Sequence, residues 1–176
     1  MDVADGMNYY FFDQLTRWLE RRGMDYTRPM QTNPQAADVH LRWVAPLPLI
    51  GKVTNDLAFW DFDRLAIEPE HQAYALEQAN LAQLTLVEAG FARKRWLRLH
   101  LPSAITVAVS ARRFSAECIK LVEQPFFAWT GGYSCSMILL NPRGYSIIHQ
   151  RTWPRSSLPP KIAINFVQTM LKTLDS

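Results

Sequence analysis

A cluster of basic side chains around a tryptophan is the feature of this sequence with the clearest chemical potential. The cluster is Arg93, Lys94, Arg95, Trp96, Leu97 and Arg98, and His100 follows it. In a strand, whose side chains alternate between two faces, Trp96, Arg98 and His100 lie together, opposite the leucines. Proteins that bind single-stranded nucleic acid contact phosphates with guanidinium groups and stack bases on aromatic rings. The segment therefore predicts a non-enzymatic, nucleic-acid-associated binding surface.

Other cations and aromatic residues in the second half of the chain extend this prediction. A later strand, over 145–153, would place on one face Tyr145, Ile147, His149, Arg151 and Trp153. The full predicted surface, for nucleic acid or for an acidic partner, comprises Arg93, Lys94, Arg95, Trp96, Arg98, His100, Arg112, Arg113, Arg143, Arg151 and Trp153. A simpler interpretation puts the aromatic rings beneath a helix and leaves the arginines as a solvated rim.

Charge divides the 176-residue chain into two halves. Residues 1–90 carry seven Lys and Arg against thirteen Asp and Glu, a formal −6, whereas residues 91–176 carry twelve against three, a formal +9. The basic half suits phosphates or an acidic protein, and it equally suits neutralisation by the acidic half within the fold or in an oligomer. The alternative function is therefore a small adaptor, chaperone or assembly subunit that binds an acidic protein surface and can pair with itself.

Two carboxylates one residue apart support a third hypothesis, a metal-dependent hydrolase or nuclease. Asp61 and Asp63 would project to one side of a strand and could share a divalent cation. Glu68, Glu70 and His71 follow closely and could complete such a site. The simpler interpretation is that the aspartates end a strand and the glutamates begin a helix. Since four scattered histidines and two cysteines form no closed ligand set, we expect no metal or other cofactor.

A serine and a histidine on neighbouring strands are the remaining chemical candidates. A tight turn at Pro142-Arg143 would set Ser136 opposite His149, and Ser134 opposite Arg151. A Ser–His pair is part of a nucleophile–base arrangement, but no sequence cue supplies an orienting acid or an oxyanion hole. Because such a pair is ordinary on a polar sheet face, we expect no catalytic residue.

Apolar spacing and end signals predict four helices. They span about 8–22, 69–89 and 116–124, the third capped by Ser115, and a last helix begins at 159. Gly23 and Gly90 are expected just past the ends of the first and second helices. The second has apolar residues on most sides, so we expect Leu76, Leu84 and Val87 to be buried.

Alternating apolar and polar residues predict strands at about 39–43, 57–62, 96–101, 104–109, 126–129, 133–140 and 145–153. Pro102-Ser103 is expected to be the turn of an antiparallel pair, and 141–144 a turn within a meander. The order of elements indicates a single α+β domain over 1–176. Its mostly antiparallel sheet of five to seven strands is packed by an N-terminal helix, the long central helix and a C-terminal helix, all on one face.

Composition limits the compartment. Apolar runs fall far short of the roughly 20 residues of a membrane helix, and no positively charged leader precedes an apolar stretch. Two cysteines, Cys118 and Cys135, cannot form a disulfide scaffold. We therefore expect a cytoplasmic protein without membrane association.

Overall fold

Helices precede, connect and follow the strands of one sheet. The computed structural model describes residues 3–28, 36–47, 51–92, 100–124, 134–150 and 158–174. The helices are α1 (Val3–Arg21), α2 (Gln72–Ala92), α3 (Ala116–Glu123) and α4 (Leu158–Leu174). The strands are β1 (Tyr26–Thr27), β2 (Val39–Leu47), β3 (Gly51–Asp61), β4 (His100–Val109), β5 (Ser134–Asn141) and β6 (Ser146–His149). A single 3₁₀ turn, Pro69–His71, leads into α2.

The six strands lie side by side in chain order, from β1 to β6. The pairs β1–β2, β2–β3 and β5–β6 are antiparallel, whereas β3–β4 and β4–β5 are parallel. The predicted α+β class with a mostly antiparallel sheet is confirmed. Parallel neighbours require a crossover, and α2 and α3 provide the two crossovers.

Helices cover both faces of the sheet, so the expectation that they share one face is wrong. Leu57 and Phe59 pack with α1 and α4 on what we call the α1/α4 face. Ala58 and Trp60, which alternate with them in β3, pack with α2 and α3 on the α2/α3 face. Parallel strands buried on both sides have near-continuous apolar sequences, which explains the fully buried run 135–140 in β5.

The local signals at helix ends predict the ends of α1 and α3 well. Gly23 has a positive φ of 59° and its N–H donates to the Glu20 carbonyl. The Ser115 hydroxyl accepts from the Cys118 N–H at 3.2 Å, as expected for an N-terminal cap. Gly90 does not end α2, which continues to Ala92. Glycine in a helix interior costs only about 1 kcal/mol relative to alanine, so Gly90 does not by itself end the helix.

The expected turn at Pro102-Ser103 does not exist. Both residues lie inside β4, where Pro102 pairs with Thr54 of β3 and Ser103 pairs with Asn55. Proline is tolerated near the start of a strand, and Pro102 is the third residue of β4. The predicted antiparallel pair is therefore replaced by one strand that is parallel to β3. The predicted strand residues 96–99 and 126–129 lie outside the described residues.

The turn between β5 and β6 is longer than predicted. Residues 142–145 form it, and Asn141 pairs with Ser146. The register places His149 opposite Ile138, not opposite Ser136. Tyr145 takes up the extra turn position with a positive φ of 46°. A turn two residues longer than expected moves every cross-strand partner by two positions.

None of the helices in the described part of the chain is both long enough and apolar enough to cross a membrane.

Candidate functional site at the carboxyl edge of the sheet

A buried polar network lies where the parallel strands end, at what we call the carboxyl edge. Asn8 of α1 donates through Nδ2 to Asp61 Oδ1 at 2.7 Å and to Asp63 Oδ2 at 3.0 Å. The Ser110 hydroxyl donates to Asp63 Oδ1 at 2.7 Å. The Ala111 N–H donates to Asp63 Oδ2, also at 2.7 Å. Asp63 thus joins the first helix to the loop that follows β4.

Asp38 extends the network from the residues before β2. Its Oδ2 accepts from the Asp61 N–H at 2.8 Å, and its Oδ1 accepts from Arg64 Nε at 2.7 Å. Burial raises the pKa of Asp61, and the nearby charges of Asp38 and Asp63 act in the same direction. Hydrogen bonds from Arg64 and Asn8 oppose this shift without cancelling it. Asp61 is therefore a carboxylate whose ionised form is disfavoured by its surroundings.

The network gives Asp61 and Asp63 a structural role. Each side chain is only 7% exposed, and N–H or O–H donors of the chain bind Asp61 Oδ1 and both oxygens of Asp63. Within the described ranges, no group of three or more His, Cys, Asp and Glu side chains is placed to hold a metal ion. The side chains that donate to these carboxylates, Asn8 and Ser110, are distant from them in sequence, and no pattern in the sequence indicates their participation.

Three of the predicted cationic residues meet at this edge. Arg112 and Arg113 lie in the loop after β4, Arg143 lies in the turn after β5, and all three are exposed. Tyr145, in the same turn as Arg143, is 47% exposed. The edge therefore carries three exposed arginines and one exposed aromatic residue.

Asn141 holds the two arginine-bearing loops together. Its Nδ2 donates to the Arg112 carbonyl at 3.2 Å, and its Oδ1 accepts from the Gly144 N–H at 3.1 Å. The Ser110 hydroxyl oxygen accepts from the Arg112 N–H at 3.1 Å while its proton is donated to Asp63. The buried network and the arginine loop are thus one connected hydrogen-bonded unit.

His100 does not join this cluster. It is the first residue of β4 and pairs with Lys52, whereas the arginines follow the other end of the sheet. Val109 lies nine residue steps after His100 in β4, about 30 Å at 3.3 Å per residue. The remaining members of the predicted surface lie outside the described residues, namely Arg93, Lys94, Arg95, Trp96, Arg98, Arg151 and Trp153.

A second charged cluster surrounds Asp56 on the α2/α3 face. The Asp56 carboxylate is fully buried, and it contacts the imidazole Nε2 of His40 and the guanidinium of Arg42, whose Nε lies 2.6 Å from Oδ2. Gln83 Nε2 donates to Asp56 Oδ1 at 2.6 Å. Burial opposes ionisation, but the hydrogen bonds and charges of His40 and Arg42 outweigh it and lower the pKa of Asp56. The alternation of side chains along β2 indicates that His40 and Arg42 share a face of the sheet. Only the pairing of β2 with β3 shows that their common partner is Asp56.

A third polar group, also missed by the sequence analysis, has no hydrogen bonds. Asn55 and Ser103 are fully buried and Ser136 is 3% exposed. Neither amide atom of Asn55 and neither serine hydroxyl has a hydrogen-bond partner among the residues the structure describes. Each such group costs about 1–3 kcal/mol of desolvation. The Ser136 hydroxyl has no partner, so it forms no nucleophile–base pair with His149. Ser136 nevertheless lies on the same face of β5 as Ile138, the residue opposite His149.

Comparisons with protein-family models, with curated protein sequences and with solved structures find no match.

Proposed function

We propose that this protein binds single-stranded nucleic acid at the carboxyl edge of its sheet. Arg112, Arg113 and Arg143 contact phosphates, and the ring of Tyr145 stacks on a base. One observation carries the proposal: the Asn141 amide bonds to the Arg112 carbonyl, which joins the two loops that present these side chains. The arginines are therefore held near each other on a fixed scaffold.

The geometry of the edge supports this function in two further ways. The arginine loops follow the ends of β4 and β5, which are parallel neighbours, so both loops lie at the same edge of the sheet. The carboxylate of Asp63 accepts hydrogen bonds from Asn8, Ser110 and Ala111 and is only 7% exposed, whereas the three arginines are exposed. A phosphate at the surface consequently meets guanidinium groups first.

Salt dependence tests the proposal. Fluorescence anisotropy of a labelled oligothymidylate or oligouridylate of about 12 nucleotides is measured between about 20 and 300 mM NaCl. The triple variant Arg112→Gln, Arg113→Gln, Arg143→Gln should flatten the log–log salt slope by roughly 0.7 per lost phosphate contact, about 2 in all.

The control removes the same charge from α1 and α4. The variant Arg21→Gln, Lys161→Gln, Lys172→Gln alters three exposed side chains of these helices and should keep the wild-type slope. Equal slopes in the two triple variants, or no binding by the wild-type protein at low salt, would contradict the proposal.

Loss of the Tyr145 ring should affect binding differently from loss of the arginines. Asn tolerates the positive φ of this position, so Tyr145→Asn removes the ring without adding backbone strain. Losing one stacked base should weaken binding about 5- to 150-fold, with the salt slope unchanged. An unchanged affinity would exclude stacking on this ring.

The second candidate is an adaptor or assembly subunit, and the outer surface of α2 favours it. Tyr74, Leu81 and Leu86 are 64%, 56% and 62% exposed. Tyr74 and Leu81, seven residues apart, lie on one side of the helix, and a contiguous exposed apolar surface is typical of protein contact sites. Binding of poly-glutamate in place of oligonucleotide, lost in the arginine variant, would favour this candidate.

Both candidates are consistent with a reducing cytoplasm, because Cys118 and Cys135 are unbridged.

A further inference from the structure

We propose that two copies of this chain pair through strand β6 and the outer side of α3, so that their two sheets become one continuous sheet. The surface consists of β6 (Ser146–His149) and of the residues that line a groove on α3, and we call it the β6/α3 edge.

Strand β6 lacks the features by which natural edge strands avoid pairing with other chains. Among the described residues it is the last strand of the sheet and pairs only with β5. Its sequence, Ser-Ile-Ile-His, contains no proline, lysine, arginine or acidic residue. Lysine, proline and very short length protect an edge, and the opposite edge strand, β1, is only two residues long. The outward N–H and C=O groups of β6 are therefore a template for another strand.

Helix α3 lies over this edge of the sheet. It contacts β5 and β6, whereas α2 contacts β3, β4 and β5. Cys118 and Val122 are buried against the sheet, and the right-handed crossover of parallel strands then turns Ile119 away from α2, toward the outside of β6. The same handedness in α2 turns Gln83 toward β3 and Asn80 toward β4.

A shallow groove of about 460 Å³ lies along this outer side of α3. The described residues that line it are Ala116, Ile119, Lys120, Glu123 and Gln124. Lys120 is exposed, whereas Ile119 and Glu123 are half-buried. The groove thus offers a second helix an apolar side chain flanked by one charge of each sign.

These charges select a second copy of this chain as the occupant. A two-fold axis normal to the sheet makes the two β6 strands antiparallel and places the two α3 helices antiparallel on the same side. Lys120 then faces the partner's Glu123, and Glu123 faces the partner's Lys120. A surface that carries both charges is complementary to itself, whereas Arg112, Arg113 and Arg143 would repel their own counterparts.

The oligomeric state in solution tests the proposal. The dimer should be weak, because a four-residue strand and one side of a short helix form a small interface. Sedimentation velocity of the full chain between about 2 and 200 µM should therefore show a monomer–dimer equilibrium.

A single added charge tests the strand edge. Ser146 is exposed, so Ser146→Lys protects the edge without altering the core and should abolish the dimer over this range. Asn165→Lys adds the same charge at an exposed position of α4 and should keep the dimer.

A charge exchange tests the identity of the partner. Lys120→Glu and Glu123→Lys should each raise the dimer Kd about tenfold, since each places like charges opposite each other twice. An equimolar mixture of these two variants should recover dimerisation, because each carries the charges that the other lacks. Recovery also shows that both variants are folded. The double variant Lys120→Glu, Glu123→Lys should dimerise as the wild-type protein does.

Three results would overturn the proposal. A wild-type protein that stays monomeric at the highest concentration would leave the edge to a strand of another protein. A dimer that persists in Ser146→Lys would use another surface. A mixture that dimerises no better than its components would exclude the reciprocal ion pairs. The test is independent of nucleic-acid binding, since the triple arginine variant should dimerise as the wild-type protein does.

Discussion

The side-chain amide of Asn8 bridges Asp61 and Asp63, at 2.7 and 3.0 Å. Asn8 belongs to the first helix, and the two aspartates belong to the end of β3 and the turn that follows it. A single amide thus fixes α1 against the loop that leads into α2. Since Asp63 also binds the loop after β4, the bridge positions residues far from it in sequence.

Replacing Asn8 tests the strength of this bridge. Asn8→Ala should lower the free energy of unfolding by about 2–3 kcal/mol, because it removes two hydrogen bonds to buried carboxylates. Urea denaturation at pH 7 measures the loss. Tyr9→Ala, at the exposed neighbouring position, should stay within about 0.5 kcal/mol of the wild-type protein. A similar loss in both variants would assign the effect to the helix instead of the bridge.

Asp56 should make the free energy of unfolding depend on pH. Asp56→Asn should cost about 2–3 kcal/mol at pH 7, less than a fully buried ion pair would, because Arg42 stays half exposed and can be solvated. The fold lowers the pKa of Asp56 below its ordinary value of 3.8, so the unfolded chain binds the proton first as the pH falls. The stabilisation is complete above about pH 4 and is lost as the pH falls through 3.8 to the folded pKa.

Chemical denaturation of the wild-type protein and of Asp56→Asn between pH 7 and pH 3 measures this pH dependence. The difference between wild type and Asp56→Asn should narrow below about pH 4. Asp13, which pairs with Arg17 on the surface of α1, provides a control, and Asp13→Asn should change stability by less than about 0.5 kcal/mol. A difference that stays constant with pH would show that the charge of Asp56 is not the cause.

Three leucines of α2 should show graded losses. Leu76 is fully buried, so Leu76→Ala should cost about 2–5 kcal/mol. Leu84 is only half-buried, contrary to the expectation from its spacing, and Leu84→Ala should cost about 1–2 kcal/mol. Leu81 is 56% exposed, and Leu81→Ala should cost less than about 0.5 kcal/mol. Chemical denaturation of the three variants measures their losses in free energy of unfolding. Any other order of losses would contradict the observed burial of the three leucines.

The native thiols should be inert. Burial raises the pKa of the Cys118 thiol to about 12, and Cys135 is also buried. At pH 8, Cys118 should react with a disulfide reagent about a thousandfold more slowly in the native protein than in guanidinium. Absorbance of the released thiolate follows both thiols. Rapid labelling of two thiols in the native protein would show that these sites open readily.

Local signals account for the parts of the fold that the sequence predicts correctly. Gly23 ends α1 and Ser115 begins α3, since each acts on backbone groups within a few residues. The parallel partners of β4 were not predictable in this way, because Pro102 has the appearance of a turn residue and pairing depends on distant strands. The same limit applies to the candidate sites. Arg112 and Arg143 are visible as cations, but Asn141, which joins them, has no distinguishing pattern.

The polar residues of the interior were missed for a related reason. Asp56 and Asn55 are neighbours in one strand and face opposite layers, and Asp56 is paired with Arg42 whereas Asn55 has no hydrogen-bond partner among the described residues. Whether a buried polar side chain is paired depends on the strands beside it, and those strands come from other parts of the chain. The alternation of side chains along a strand shows which face of the sheet a residue lies on, but it does not show which residue it contacts.

The agreement between strand order and chain order has a consequence for biosynthesis. Each strand lies beside the one synthesised before it, so a nascent chain can extend the sheet outward without opening a gap between existing strands. The α1/α4 face is completed differently, because α4 follows all six strands. Until residues 158–174 emerge from the ribosome, the cluster that contains Phe59, Val107 and Ile138 has α1 but lacks α4, the second of its two covering helices. Chains that stall before α4 should therefore be the main substrates for chaperones and proteases.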